Sequence, residues 1–92
     1  MAIARTFRGH GWTLDQYDEL IARMELGGHA APGVLFHWAG ETTDGIVAVD
    51  VYESRESADR LAQEKVGPIA ADLGLSMPEI EEQGVDRILT PV

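Results

Sequence analysis

Residues 33–54 read GVLFHWAGETTDGIVAVDVYES, and this stretch decides the fold. Two runs rich in β-branched and aromatic residues, Val34–Trp38 and Ile46–Tyr52, flank the segment Thr42–Gly45. Asp-Gly between two such runs predicts a β-hairpin, because glycine adopts a positive φ without steric cost. The sequence therefore predicts two adjacent antiparallel strands in the middle of the chain.

The residues before the hairpin predict a strand followed by a helix. The strand is expected over Ala2–Arg8. Thr13 and Gln16 have the spacing of a capping box, in which each side chain bonds a free N–H at the start of a helix. An apolar stripe follows at helical spacing: Leu14, Tyr17, Leu20, Ile21 and Met24. Gly27 and Gly28 are predicted to end this helix.

The residues after the hairpin predict a second helix and a last strand. Ser54 is a favourable N-cap for the helix. Pro68 lacks an N–H, so we expect two helical pieces that meet at a kink at Gly67-Pro68 and end at Gly74. A last strand is expected between Ile80 and Thr90. The resulting order is βαββαβ in a single domain, residues 1–92, of the α+β class with an antiparallel sheet.

Composition excludes several classes of function. Seven basic against sixteen acidic residues give a net charge of −9, without a Lys/Arg cluster that would bind nucleic acid or an anionic membrane. The absence of cysteine excludes disulfides and thiolate nucleophiles. The beginning of the chain lacks a signal-peptide pattern, and no apolar run is long enough to span a membrane. We therefore expect a cytoplasmic protein.

The two hairpin strands are apolar on both faces. Strict alternation places Val34, Phe36 and Trp38 on one face of the first strand, opposite to Leu35, His37 and Ala39. On the second strand, Val47, Val49 and Val51 face away from Ile46, Ala48, Asp50 and Tyr52. A sheet with one face in water would alternate apolar with polar residues. A second cover is needed, and the sequence predicts a homodimer through the sheet faces.

Two segments and the order of elements resemble a known family. The segment Pro32-Gly-Val-Leu-Phe-His37, the segment Asp50-Val-Tyr-Glu-Ser54 that leads into a helix, and the βαββαβ order resemble the dimeric α+β barrel superfamily. Within it, the chain is similar to small antibiotic-biosynthesis-monooxygenase-like proteins. The resemblance implies a ferredoxin-like protomer whose sheet packs against the sheet of its partner. It also implies a pocket between the sheet and the outer helices.

The resemblance carries expectations about cofactors and pocket residues. Relatives in this superfamily include cofactor-independent oxygenases of polycyclic phenols, haem-degrading enzymes and polyketide cyclases. Some have a histidine in the second helix that binds haem or takes part in catalysis. The matching position here is Leu61, which implies a substrate pocket without haem, and we expect no other cofactor. Many members have Glu-x-Trp before that helix, and Asp50 and Tyr52 keep a carboxylate and an aromatic ring at those positions.

His37 and Asp50 are the candidates for chemistry. A histidine in an apolar strand is suited to general-base catalysis, but it can equally be a neutral core imidazole that bonds a backbone carbonyl or a partner subunit. Asp50 lies between two valines, where a carboxylate is costly unless it is paired. Its expected partner is Arg5 on the first strand. The alternative is that Asp50 faces a pocket and orients a substrate hydroxyl or the histidine.

Aromatic residues provide the candidate pocket wall. Trp12, Phe36 and Trp38, with Tyr52, can line a site for an aromatic ligand, although aromatic residues in so small a domain more often belong to the core or an interface. His10 and His29 lack the spacing of metal ligands, so we expect no metal site. The glycine-rich segments lack the spacing of phosphate-binding loops.

Two functions of different class remain open from the sequence. The first is a cofactor-independent oxygenase or cyclase that acts on an aromatic or polyketide-like small molecule, with His37 as base and Asp50 and Tyr52 as orienting groups. The second is a non-catalytic dimeric module for ligand binding or assembly, in which the same residues form the core. A pocket of a few hundred cubic ångströms beside the sheet would favour the enzyme.

Overall fold

The strands and helices follow one another in the predicted βαββαβ order. The computed structural model describes residues 1–89 and 91. The strands are β1 (Ile3–His10), β2 (Val34–Glu41), β3 (Gly45–Tyr52) and β4 (Glu79–Gly84). The helices are α1 (Leu14–Met24), α2 (Arg55–Leu61) and α3 (Gly67–Asp72), and a π-helical turn, Ala62–Val66, joins the last two.

The four strands form one antiparallel sheet in the order β2-β3-β1-β4. This is the ferredoxin-like arrangement, and the predicted α+β class is confirmed. The buried apolar side chains are few, and those on the sheet belong to the face that the helices cover: they are Ile3, Leu20, Met24, Ala31, Ile46, Ala48, Tyr52 and Ala58. In the described part of the chain, no helix is both long and apolar enough to cross a membrane.

The β2–β3 hairpin closes tightly against the end of β1. The Thr42 N–H donates to the Gly45 carbonyl at 2.8 Å, and the Thr42 hydroxyl accepts from the Gly45 N–H at 3.0 Å. A Cβ at position 45 would lie only 2.0 Å from the Gly9 carbonyl oxygen. Glycine is therefore required here by the close approach of two backbones as well as by the turn.

A β-bulge near the start of β2 corrects the predicted alternation. Val34 pairs with Tyr52, whereas Phe36 pairs with Val51, so Leu35 is an extra residue on β2. Val34 packs against the core cluster that includes Tyr52, on the side opposite to Phe36. The prediction that these two residues share a face was wrong, because a bulge inverts the alternation that a regular strand would keep.

The other face of the sheet is apolar and exposed along β2. Phe36 is 59% exposed and Trp38 is 46% exposed. Both lie beside the half-buried valines of β3, because Phe36 pairs with Val51 and Trp38 pairs with Val49. We call this surface the open face and define it as Phe36, Trp38, Val47, Val49 and Val51.

Helix α1 begins as predicted and ends earlier than predicted. The capping box is present, with the Gln16 N–H donating to the Thr13 hydroxyl at 3.1 Å and the Thr13 N–H donating to the Gln16 side chain at 2.9 Å. The helix ends at Met24, before Gly27, because Glu25 adopts the left-handed conformation with φ of 54°. Left-handed backbone is strained for a residue with a Cβ.

This conformation makes Glu25→Gly a stabilising substitution. Glycine adopts a positive φ without strain, so we expect the free energy of unfolding to rise by about 0.5–1 kcal/mol. Denaturant titration measures the change. The matched control is Glu19→Gly, which introduces the same residue into right-handed helix and should destabilise by about 1 kcal/mol. Destabilisation by both variants would contradict the expectation.

The second helical region contains the two predicted pieces, α2 and α3, and the π-helical turn Ala62–Val66 joins them ahead of Pro68. The Ser54 hydroxyl caps α2 by accepting from the Ser57 N–H at 3.1 Å. Ahead of the proline, the Gly67 N–H donates to the Ala62 carbonyl, five residues back, which is the bond of a π turn. Pro68 then lies in the first turn of α3, where its missing N–H is tolerated. The wider turn therefore lies at the predicted junction of the two helical pieces.

The last strand is shorter than the region predicted for it. β4 covers Glu79–Gly84 and pairs with β1, so that Ile80 lies opposite Phe7. The strand is exposed and acidic. It lacks the alternation of apolar and polar residues that would have indicated its ends in the sequence. The predicted limit Thr90 lies outside the described residues.

Candidate functional site

A continuous line of hydrogen bonds links helix α1 to the two hairpin strands. It contains Tyr17 on α1, His37 on β2, and Asp50 and Tyr52 on β3. The Tyr17 hydroxyl bonds His37 Nε2, and His37 Nδ1 bonds Asp50 Oδ1. The Tyr52 hydroxyl donates to Asp50 Oδ2 at 2.8 Å. We call these four residues the histidine network.

The register of the sheet brings the network together. His37 and Asp50 are directly opposite each other across β2 and β3. Tyr52 is two residues from Asp50 and so lies on the same, helix-covered face. Tyr17 approaches from α1, with its ring nearly parallel to the imidazole at 7° and the ring centroids 6.1 Å apart. Two strands and one helix therefore fix the network.

The bonding partners assign the protons of the network. A carboxylate only accepts, so His37 carries its proton on Nδ1 and donates it to Asp50. In the neutral ring, Nε2 is then the unprotonated nitrogen and accepts from the Tyr17 hydroxyl. This tautomer directs the basic nitrogen to a phenol and the protonated nitrogen to a carboxylate. This is the arrangement that stabilises an imidazolium once Nε2 takes up a proton.

Burial and charge keep both phenols neutral. Burial, followed by the charges of Asp50 and Asp18, raises the pKa of Tyr17 to about 12. Burial also raises the pKa of Tyr52, with further contributions from the charge of Asp50 and its hydrogen bond. Tyr52 is almost fully buried, whereas the His37 side chain is 29% exposed. The network therefore has an anchored end at Tyr52 and a more accessible end at His37 and Tyr17.

The expected pairing of Asp50 with Arg5 was wrong. The two residues are opposite each other in the β1–β3 register, but the Arg5 guanidinium bonds Asp59 at 2.7 Å and Glu82 at 2.9 Å. Asp50 already has a partner on each oxygen, from His37 and Tyr52. The alternative interpretation of Asp50, in which it orients the histidine, is the one that agrees with the geometry.

Solved structures with the same fold have names that indicate oxygen chemistry. A candidate antibiotic biosynthesis monooxygenase from Chloroflexus aurantiacus superposes with a TM-score of 0.68 at 22% identity, over 98% of both chains. SnoaB, a cofactor-independent oxygenase from Streptomyces nogalater, gives 0.61 at 22% identity, over 96% of this chain and 94% of SnoaB. A candidate antibiotic biosynthesis monooxygenase from Deinococcus radiodurans gives 0.60 at 13% identity, over 100% and 99%.

The chain has the fold of the antibiotic-biosynthesis-monooxygenase-like proteins. The resemblance that the sequence indicated is thereby confirmed for the fold. No protein-family model and no curated protein matches the chain. At these identities the likeness to the monooxygenase-like structures concerns the fold alone.

Within this monooxygenase-like fold, the sheet separates the predicted pocket residues. Trp12 packs over Gly9 and donates from Nε1 to Ser76, and Leu61 packs against the core cluster of Ile3, Tyr52 and Ala58. Both lie on the helix-covered side with the histidine network. Phe36 and Trp38 belong to the open face, so they cannot line one pocket with His37 inside a single protomer.

Tyr17 is the network residue that the sequence did not single out as functional. It belongs to the apolar stripe of α1, and an aromatic residue in such a stripe is most simply core. The signal that distinguishes it is its hydroxyl, because a buried phenol requires a hydrogen-bond partner. The sequence cannot name that partner, since it comes from a strand twenty residues away.

Two clefts in the surface lie away from the histidine network. One, of about 450 Å³, lies along α2 between Arg55 and Glu64. The other, of about 160 Å³, lies at the hairpin end of the sheet beside His10. Neither is lined by His37, Asp50 or Tyr17.

A second histidine joins the hairpin turn to β4. His10 Nδ1 bonds Asp44, and His10 Nε2 bonds Glu79 at 2.8 Å. These hydrogen bonds, first that of Glu79 and then that of Asp44, raise the pKa of the exposed His10. Among residues 1–89 and 91, no group of three histidine or carboxylate side chains is placed to hold a metal ion.

The raised pKa of His10 predicts a pH-dependent contribution to stability. A raised pKa means that the protonated form is favoured by folding, so the contribution is complete below the ordinary histidine pKa of about 6.5. It is lost as the pH rises through the raised value in the folded state. The melting temperature of wild type should therefore exceed that of His10→Gln by more at pH 5.5 than at pH 8.5. A difference that does not change with pH would contradict this.

Proposed function

We propose that this chain is a cofactor-independent oxygenase or cyclase that removes an acidic proton from an aromatic or polyketide-like small molecule. The observation that carries the proposal is that the His37 imidazole is held between the carboxylate of Asp50 and the phenol of Tyr17. The shared fold with SnoaB, a cofactor-independent oxygenase, supports the same class of reaction.

The network supplies what proton abstraction requires. An imidazole is an effective base near neutral pH, and Asp50 stabilises the positive charge that forms when the base is protonated. Tyr52 bonds the second oxygen of Asp50 and so holds the carboxylate in place. Asp50 and Tyr52 are therefore positioning residues, whereas His37 is the base.

The steps after proton removal need only oxygen or the substrate itself. Loss of a proton from a benzylic CH₂ leaves a carbanion, whose electron pair forms a bond to O₂. Return of a proton gives a hydroperoxide, and loss of water leaves a carbonyl. The carbon centre is oxidised by four electrons and O₂ is reduced by four, with one oxygen atom in the product and one in water. In a cyclase, the same carbanion attacks an internal carbonyl instead.

We propose further that the active form is a homodimer in which a second copy covers the open face. Two exposed aromatic residues, Phe36 and Trp38, lie beside the β3 valines there. A chain of this size buries only about two-thirds of its unfolded surface by itself, so a sheet-to-sheet contact adds apolar burial that it lacks.

A second candidate function is a non-catalytic dimeric module for ligand binding or assembly. The position of the two clefts favours it, because neither includes the histidine network. Oxygen uptake distinguishes the two. Anthrone, a three-ring compound with an acidic CH₂, is a suitable probe: an oxygenase should consume one O₂ per anthrone and form anthraquinone faster than buffer does. Uptake equal to that of buffer, together with deuterium exchange at the CH₂ group no faster than in buffer, would favour the module, because a cyclase removes the proton without consuming O₂.

A further inference from the structure

The basic nitrogen of His37 is not free to meet a substrate. Nδ1 is engaged by Asp50, and Nε2 is engaged by the Tyr17 hydroxyl. A substrate proton could reach Nε2 directly only if the Tyr17 hydroxyl first gave up this hydrogen bond. The Tyr17 oxygen, by contrast, keeps a lone pair that no other described residue bonds. In this geometry the phenol oxygen is therefore the atom next to His37 Nε2 that still has a lone pair for a substrate proton.

We infer that Tyr17 is a catalytic residue that passes the substrate proton to His37, so that the two residues act as one base. This inference rests on the proposed function. In the step, the substrate C–H proton moves to the Tyr17 oxygen while the Tyr17 proton moves to His37 Nε2. The electron pair of the C–H bond stays on the substrate as a carbanion. The positive charge ends on the imidazolium, next to the Asp50 carboxylate.

The chemistry of the phenol agrees with this role. Tyr17 is half-buried, and its pKa of about 12 keeps it protonated, so it can donate to His37 throughout the neutral range. A free phenol is a poor base, but it becomes an effective one when its own proton leaves for an imidazole in the same step. Tyr52 has the same side chain at the other end of the network, where it only holds Asp50.

The first test measures proton removal without oxygen. Wild type, Tyr17→Phe, His37→Gln and the double variant are incubated anaerobically with anthrone in D₂O, and deuterium entry into the CH₂ group is followed. We expect Tyr17→Phe and His37→Gln to lower the rate by similar factors, on the order of 10²-fold or more. The double variant should be no slower than either single variant, because the two residues act in one path.

Tyr52→Phe is the matched control, since it removes the same hydroxyl from the other tyrosine of the chain. It should lower the rate by a smaller factor than Tyr17→Phe. Melting temperatures of all variants, measured in parallel, separate loss of chemistry from loss of folding. Equal losses in the two tyrosine variants would assign Tyr17 a structural role and overturn the inference.

Two results would separate failure of this inference from failure of the proposed function. If Tyr17→Phe exchanges as fast as wild type or faster while His37→Gln is inactive, His37 is the direct base, and the proposed function stands without the tyrosine. If wild type does not accelerate exchange at all, the proposed function fails and the inference fails with it.

A second measurement tests the inference without any substrate. Nitrogen-15 NMR of the His37 ring reports which nitrogen carries the proton and whether the other accepts a hydrogen bond. We expect the Nδ1–H form, with an Nε2 shift that changes more in Tyr17→Phe than in Tyr52→Phe. A proton on Nε2 in the neutral ring would overturn the inference, because Tyr17 could not then donate to it.

Discussion

We expect His37→Gln to lower the rate of proton removal by about 10²- to 10⁴-fold and to leave the melting temperature nearly unchanged. Glutamine is polar and close to histidine in size, but its amide cannot accept a proton near neutral pH. Asp50 keeps the hydrogen bond from Tyr52 in the variant, so its carboxylate is not left without a partner. Deuterium exchange and oxygen uptake measure the first effect, and calorimetry measures the second.

The exposed loop residue His29 provides the control for this prediction. His29→Gln makes the same chemical change outside the network and should leave both the rate and the melting temperature as they are in wild type. A large loss of stability in His37→Gln, with no change in the rate, would contradict the catalytic assignment. It would favour the interpretation of His37 as a structural core residue.

Val49→Asp should prevent assembly of the homodimer. Val49 lies in the middle of the open face, paired with Trp38 on β2 and with Thr6 on β1. In a dimer through this face the new carboxylate would be buried in each protomer without a partner, which costs several kcal/mol per charge. Sedimentation equilibrium at micromolar concentration should therefore show a dimer for wild type and a monomer or unfolded chain for the variant.

The matched control for Val49→Asp is Thr43→Asp. Threonine has the shape of valine, and Thr43 lies exposed at the tip of the hairpin. The control adds the same charge away from the open face and should remain dimeric with the melting temperature of wild type. A wild type that is a stable folded monomer, or a Val49→Asp variant that keeps the mass and melting temperature of wild type, would rule out this dimer.

Local signals in the sequence were sufficient to predict the order of the elements. The capping box of Thr13, the N-cap of Ser54 and the Asp-Gly turn act over three or four residues, and each has the predicted structure. The bulge at Leu35 could not be predicted in this way, because it depends on how two strands pair. The π turn before Pro68 likewise depends on how the backbone adapts to a missing N–H. The sequence shows only that a proline interrupts a helical pattern, and it does not show how the helix accommodates it.

The candidate site was predicted only in part, because its contacts also depend on how distant segments pack. His37, Asp50 and Tyr52 were chosen because polar groups in apolar strands need partners, and the structure places the three in contact. Their choice of partners was not predictable, since Arg5 and Tyr17 both lie within reach of the same face. Tyr17 bonds His37 because α1 packs over this face, and Arg5 does not bond Asp50 because Asp59 and Glu82 hold its guanidinium.

The bulge at Leu35 also bears on aggregation. β2 is an edge strand, and an edge strand offers a row of unpaired backbone groups to which another chain can add. The extra residue Leu35 interrupts this row of backbone groups next to the apolar side chains of Phe36 and Trp38. The interruption hinders the pairing of β2 with an edge strand of another chain. At the other edge, β4 is short and carries Glu79, Glu81 and Glu82. The sheet can thus bind one partner through its apolar open face, while both of its edge strands resist the addition of further strands.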